Sequence, residues 1–228
     1  MHSVSIRPHI VDRVVARRGR LHLFDSLTPA RTAMLVIDMQ DTFCEPGAPA
    51  EVPTSRAIIQ PINRLAAGLR EAGGHVIFIT HANSSTPKGS DWPGFFENFV
   101  AAEVRERTIE SLAPGAPGQK VFEGLTVGPE DIEIIKNRYS ALIPGSSPLE
   151  RILRGLGVDT VLVTGTKTNV CCEATARDAM MMDFRVVMVS DATAALSDEE
   201  HRATLETIIQ QFGDVLTVSE CLQLLAKR

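Results

Sequence analysis

The chain has 228 residues, with 23 Lys and Arg against 28 Asp and Glu, a formal net charge of −5. An apolar content of 44% excludes a disordered chain, and four Cys in this length exclude a small disulfide scaffold. The acidic balance argues against a nucleic-acid partner, and no apolar run approaches the ~18–20 residues that cross a bilayer. At roughly 100–200 residues per domain, a single domain is expected.

The first 30 residues lack a clear hydrophobic period and carry five Arg among the first 20. They form an N-terminal extension, expected to wrap the outside of the domain or reach a neighbouring subunit. The opening stretch MHSVSIRPHIVDRVVARRGR lacks the uninterrupted apolar run of a secretory signal. A cytoplasmic location with free thiols is therefore the expectation. The domain proper runs from 31 to 228. Short, nearly continuous apolar runs at 33–37, 75–80, 132–135, 160–164 and 185–190 suit strands covered on both faces, as in a parallel sheet. Between them lie helical patterns. Ile58, Ile59, Ile62, Leu65 and Leu69 recur at three- and four-residue spacing before Gly73-Gly74. Ser147-Pro148-Leu149-Glu150 reads as an N-cap, a Pro at the first helical position and an acid further on. Further helices are expected from Cys171 to about Met182 and over 198–212, with a short strand and helix to finish. Met180-Met181-Met182, at a helix end, reads as core filler. The alternation predicts an α/β fold, a doubly wound, mostly parallel sheet with right-handed crossovers. It is interrupted by an insert at 81–131 that holds the only Trp, Trp92, and a helix near 93–107. An insert this long is a lid, a substrate wall or an interface.

In an open parallel sheet, ligands bind beyond the carboxyl ends of the strands. The first strand ends at Asp38, the second at His81, the third at Lys136, and the fourth at Gly165-Thr166-Lys167 with Cys171 close behind. An acid, a cation and a thiol can thus meet on one edge. Cys171 falls where a strand turns into a helix, in a first turn whose free N–H groups and dipole favour a thiolate. The dipole alone supplies ~0.3–1 kcal/mol, too little to ionise an ordinary thiol at neutral pH, so a cation such as Lys136 is needed beside it. Each residue also has a bland reading. Asp38 can cap a turn, Lys136 can be a solvated strand end, and Cys is usually a small buried hydrophobe, the role assigned to Cys44, Cys172 and Cys221. The segment Gly165-Thr166-Lys167-Thr168 is not a phosphate-binding loop, because Thr160 stands where the upstream Gly is required.

Three segments carry a resemblance: VIDMQDTF at 36–43, IIKNRYSAL at 134–142 and VTGTKTNVCCEATARDA at 163–179. In order and spacing they resemble the motifs of the cysteine hydrolases of the isochorismatase-like superfamily. The wording is closest to the ureidoacrylate amidohydrolase branch, with the biuret, triuret and N-carbamoylsarcosine hydrolases as relatives. The resemblance implies a Rossmann-like, three-layer αβα fold and an Asp-Lys-Cys triad, here Asp38, Lys136 and Cys171. It implies a cis peptide between Thr166 and Lys167, which aims the backbone N–H groups of Lys167 and Cys171 into one oxyanion hole. It also implies a homo-oligomer, a dimer or tetramer. Members that hydrolyse nicotinamide carry an Asp-x-His and a further His for a metal. Here THANSSTPKGSDW has one His and no such spacing, so neither metal nor cofactor is expected. The cysteine itself favours C–N cleavage over the vinyl-ether cleavage of the true isochorismatases.

The expected activity is hydrolysis of a small linear amide or ureido compound through a thioester. Gln40, Phe43, Asn83, Trp92, Arg138 and Tyr139 flank the triad and are the expected substrate contacts. The alternatives are a nicotinamidase-like or maleamate-type amidase, a Cys171–His81 dyad, a thiol redox enzyme and a non-catalytic α/β binding module.

Overall fold

Strand β1 (Thr32–Ile37) is buried at every position. Its alternate side chains enter two separate cores. Ala33, Leu35 and Ile37 pack on one side of the sheet, and Met34 and Val36 on the other. This is the strand that a continuous apolar run predicts. The computed structural model describes residues 2–87 and 89–227. Ahead of β1 lies helix α1 (Pro8–Arg18), and after it come the single turn α2 (Asp41–Cys44) and helix α3 (Ile59–Glu71). Strand β2 (His75–His81) leads into a small hairpin, β3 (Ser85–Thr86) with β4 (Gly89–Ser90). Helices α4 (Pro93–Asn98) and α5 (Ala102–Ser111) follow, then β5 (Ile132–Lys136) and α6 (Leu149–Gly155). The rest is β6 (Thr160–Thr166), α7 (Glu173–Met181), β7 (Arg185–Ala194), α8 (Asp198–Gln211), β8 (Asp214–Leu216) and α9 (Val218–Ala226).

The six main strands form one wholly parallel sheet in the order β5-β2-β1-β6-β7-β8. Helices α3 and α9 cover one face through Ile62, Leu65, Leu69, Cys221 and Leu224. Helices α6, α7 and α8 cover the other through Leu153, Ala176, Ala179, Leu205 and Ile208. Each Ile or Leu among them contributes roughly 1.5–3 kcal/mol on burial. The chain runs from β1 outward to β2 and β5, then returns to lay β6 on the opposite side of β1. The loops after β1 and β6 therefore diverge and open a crevice, where ligands of such sheets bind.

Several local expectations are corrected. Helix α1 was not legible, because only Ile10 and Val14 make its buried face. It lies against α8, where Arg7 Nε donates to Glu206 Oε1 at 2.8 Å and Arg18 Nη1 donates to the Ile209 carbonyl at 3.0 Å. The single helix expected near 93–107 is two, broken between Asn98 and Ala102. Helix α6 starts one residue later than the Pro-first reading, with Pro148 at the cap and Ser147 Oγ accepting from the Leu149 N–H at 3.1 Å. Met180 and Met181 are exposed, 40% and 64%, rather than core filler, whereas Met182 packs against the core as expected. Cys44, Cys172 and Cys221 are free and fully buried.

At the crevice β6 presses on β1. Gly165 has φ +106°, and a Cβ there would lie 2.0 Å from the Ile37 carbonyl oxygen. Only glycine fits a left-handed backbone in such contact. Gly165→Ala is expected to lose at least ~2 kcal/mol of stability, from backbone strain and overpacking together. Urea denaturation checks this, and an unchanged midpoint contradicts it.

Candidate active site

Three strand ends build the site. Asp38 follows β1 directly and takes a left-handed conformation, φ 54°, with its N–H donating to the Ile79 carbonyl at 2.8 Å. Asp tolerates this region better than most residues. Its carboxylate is turned back under the sheet edge, 1% exposed. Lys136 ends β5 and is fully buried. Its ammonium reaches under β2 to donate to Asp38 Oδ2 at 2.9 Å and to Cys171 Sγ at 3.5 Å. It also meets the Arg138 carbonyl and His81 Nδ1, both at 3.1 Å. Cys171 lies in a π-helical turn, Thr168–Cys172, between β6 and α7. The peptide bond between Thr166 and Lys167 is cis.

His81 is locked from both sides. Asn83 Oδ1, an acceptor, sits 2.7 Å from Nε2, so that nitrogen carries the hydrogen and Nδ1 accepts from Lys136. The amide of Asn83 is oriented by Nδ2, which donates to Asp91 Oδ1 at 2.7 Å. Burial first, and the Lys136 charge second, push the imidazole well below its usual range. His81 is therefore a neutral acceptor that helps aim Lys136. No sequence motif announces this relay.

The electrostatics correct the expectation of a resting thiolate. Burial pushes the Cys171 thiol up, and the Asp38 carboxylate pushes it further, while Lys136 only partly offsets both. Burial also raises Asp38, opposed by Lys136. For Lys136, burial works against the ammonium, but Asp38 and Cys171 together outweigh it and the pKa ends above the ordinary lysine range. The resting site is thus an Asp38–Lys136 ion pair beside a neutral thiol. Asp38 Oδ1 is buried and has no hydrogen-bond partner that meets ordinary geometry. It is the atom free to take a proton from the sulfur, and the field of its carboxylate is already felt there.

Beside these three side chains lies a cavity of about 410 Å³ whose wall includes Asp38, Cys171, Lys167, Phe43, Trp92 and Tyr139. Three of the expected substrate contacts, Phe43, Trp92 and Tyr139, are therefore on it. The other three are not, and each has a structural task instead. Gln40 is fully buried, its Nε2 donating to the His81 carbonyl at 3.0 Å and its Oε1 accepting from the His81 N–H at 2.6 Å. Asn83 orients His81. Arg138 lies over the Trp92 ring at 5.0 Å and donates to the Asn137 and Asp91 carbonyls. The insert supplies a wall that sequence reasoning did not resolve to residues: Phe95, Phe99, Val104 and Leu112. The aromatic spacing after Trp92 was the available signal. Among the described residues, no cluster of three or more His, Cys, Asp or Glu could hold a metal ion.

The isochorismatase domain model matches residues 32–220. The chain belongs to the isochorismatase family. It is 31% identical over 206 residues to the ureidoacrylate amidohydrolase RutB of Methylobacterium radiotolerans, covering 85% of this chain and 79% of that one. It is 31% identical over 176 residues to a protein of Arabidopsis thaliana named as a probable inactive nicotinamidase, covering 76% of this chain and 86% of that one. Among solved structures, a cysteine hydrolase from Pseudomonas syringae pv. phaseolicola superposes with a TM-score of 0.79 at 32% identity, over 90% of this chain and 96% of that one. The isochorismatase-like α/β fold and the hydrolase family are thereby established.

A buried ion pair turns costly when one member is removed. Lys136→Met should lose ~3–5 kcal/mol at neutral pH, and the Asp38→Asn/Lys136→Met double variant should recover much of it. Without Lys136 the folded-state pKa of Asp38 rises further. The penalty of the single variant should therefore shrink as pH falls and the carboxyl takes up a proton. Denaturant midpoints across pH check both statements, and a pH-independent penalty contradicts them.

Proposed function

We propose that this protein is a cofactor-free amidohydrolase that cleaves the C–N bond of a small linear amide or ureido compound through a thioester on Cys171. The observation that carries the reading is one buried ammonium, Lys136 Nζ, held 2.9 Å from Asp38 Oδ2 and 3.5 Å from Cys171 Sγ, two residues that line a cavity. The amidohydrolase and cysteine hydrolase named among the similar proteins support the same class.

Asp38 accepts the thiol proton as the sulfur attacks the substrate carbonyl carbon. The carbonyl π pair moves to oxygen, and the backbone N–H groups of Lys167 and Cys171 stabilise that oxyanion. Lys136 stays protonated and stabilises the negative charge as it passes from the Asp38 carboxylate through the attacking sulfur to the carbonyl oxygen. Asp38 then returns the proton to the departing nitrogen, and ammonia or an amine leaves as the C–N bond breaks. A water enters, Asp38 removes its proton, and collapse of the second tetrahedral adduct frees the acid and restores the thiol. A carbamic acid product decomposes to ammonia and carbon dioxide. The reaction needs no metal, redox partner or cofactor. The wider reading is of a cytoplasmic homo-oligomer with no nucleic-acid or membrane partner, and among the described residues no helix is long and apolar enough to cross a membrane. Both ring nitrogens of His81 are engaged, by Lys136 and Asn83, which favours the triad over a Cys171–His81 dyad.

Rapid acid quenching followed by intact-protein mass measurement should trap an acyl group on Cys171, and Cys171→Ala should show none. Asp38→Asn should lower kcat/KM by ~10²–10⁴ as a lost acid–base group. His81→Ala, which only loosens Lys136, should cost about tenfold, ~1.4 kcal/mol. Equal severe losses at Asp38 and His81 would instead indicate the dyad. Neither adduct nor ammonia from a well-folded sample would indicate a non-catalytic module.

A further inference from the structure

The cavity is large and greasy for a ureido acid. About 410 Å³ falls within the range of ~300–1,000 Å³ that houses drug-sized ligands, well beyond what urea or biuret fills. Its outer part is walled by Phe95, Phe99, Val100, Val104 and Leu196. Phe99 and Leu196 are 78% and 52% exposed, so they stand at the mouth. Most polar groups on the wall beyond the triad are already engaged. The Glu51 carboxylate accepts from the Gly47 N–H and from Arg56, both at 2.8 Å. Thr108 Oγ1 donates to the Val104 carbonyl at 2.8 Å, and Thr166 Oγ1 to the Ala194 carbonyl at 3.2 Å. Arg138, one of the expected substrate contacts, is held over Trp92 and is not on the wall. Among the described residues, the cations on the wall reduce to Lys167, in the turn that leads to the nucleophile. A carboxylate at the outer wall would meet mostly apolar side chains, with Lys167 the one cation on the wall among the described residues, and desolvating it there is costly.

We infer that the substrate carries an uncharged apolar substituent, aliphatic or aromatic, on the side of the scissile carbonyl that faces the mouth. The natural class is a primary amide or monosubstituted urea with a hydrocarbon tail, not a carboxylated ureido acid. This inference rests on the amide-hydrolysis reading. It separates this chain from the substrate named for the ureidoacrylate amidohydrolase it resembles.

The test is ammonia release by the full-length wild-type protein from unbranched primary amides, acetamide through hexanamide, and benzamide. A parallel series carries a terminal carboxylate: succinamate, N-carbamoylglycine and ureidoacrylate. The expected kcat/KM rises about three- to fourfold per added methylene, the factor that ~0.8 kcal/mol per buried CH₂ gives. Each carboxylated compound should fall at least about tenfold below its uncharged counterpart, one unmet desolvation being worth ~1.4 kcal/mol or more. Phe99→Ser and Leu196→Ser, both at exposed positions, should flatten the length dependence. Carboxylated compounds turned over better than their uncharged counterparts would overturn the inference and leave amide hydrolysis standing, as would a flat length series. Failure to hydrolyse either series removes both readings together.

Discussion

Everything in this molecule that bears on chemistry depends on one ion pair taken out of water. Asp38 and Lys136 are 1% and 0% exposed and 2.9 Å apart. Neither charge is tolerable there alone, because desolvating a single carboxylate or ammonium costs several kcal/mol even after relaxation. Together they hold a cation and an acceptor beside one sulfur. The pair is also asymmetric. Lys136 makes four polar contacts, whereas the second oxygen of Asp38 has no partner in ordinary hydrogen-bond geometry and feels only the Cys171 thiol. A buried acceptor left unsatisfied is expensive, and it persists where a site uses it. In the proposed mechanism this oxygen takes the thiol proton.

The fold serves that pair by topology. A parallel sheet wound in two directions from β1 puts the ends of β1 and β6 side by side with their loops diverging. Asp38 comes from one loop and Cys171 from the other, while Lys136 reaches in from the outermost strand, β5, past His81 at the end of β2. Gly165 lets the backbones of β1 and β6 close to a distance no side chain permits. The insert between β2 and β5 then roofs the crevice with aromatic side chains. Trp92 stacks on Phe95 at 4.8 Å and meets Tyr139 edge-on at 4.8 Å. The floor of the crevice is polar, and the roof is apolar and carried largely by the short helices of the insert, a part of the fold that can vary while the sheet stays the same.

The parts legible in the sequence were those with a local physical signature. β1, β2 and β5 were visible as apolar runs, and Asp38, His81 and Lys136 as the polar residues that end them. Helix α3 was visible by its three- and four-residue spacing and α8 was expected over 198–212, while the Ser197–Glu200 capping box that starts α8 is a finding of the structure. What was hidden depended on contacts between distant segments. Helix α1 has too narrow an apolar stripe to announce itself, and exists because α8 offers it a surface. Gln40, Asn83 and Arg138 carry polar groups next to the triad, but whether such a group faces a cavity or a carbonyl is decided by tertiary packing. The ionisation of Cys171 was misread for the same reason. A helix start and a nearby lysine favour a thiolate in isolation, yet burial and the Asp38 charge reverse the balance.

The most direct test of this arrangement is the pH dependence of Cys171 alkylation by iodoacetamide, followed by peptide mass mapping in the wild type and in Asp38→Asn. The other three cysteines are fully buried, so the reaction reports on one sulfur. If Asp38 takes the thiol proton, the wild-type rate is level across neutral pH. It falls only on the acid side, as Asp38 itself becomes protonated at a pH above the ordinary carboxylate range. Asp38→Asn then reacts slowly at neutral pH and climbs steadily with alkali. The same rising profile in both proteins would show that the carboxylate does not serve the sulfur, and would contradict the account.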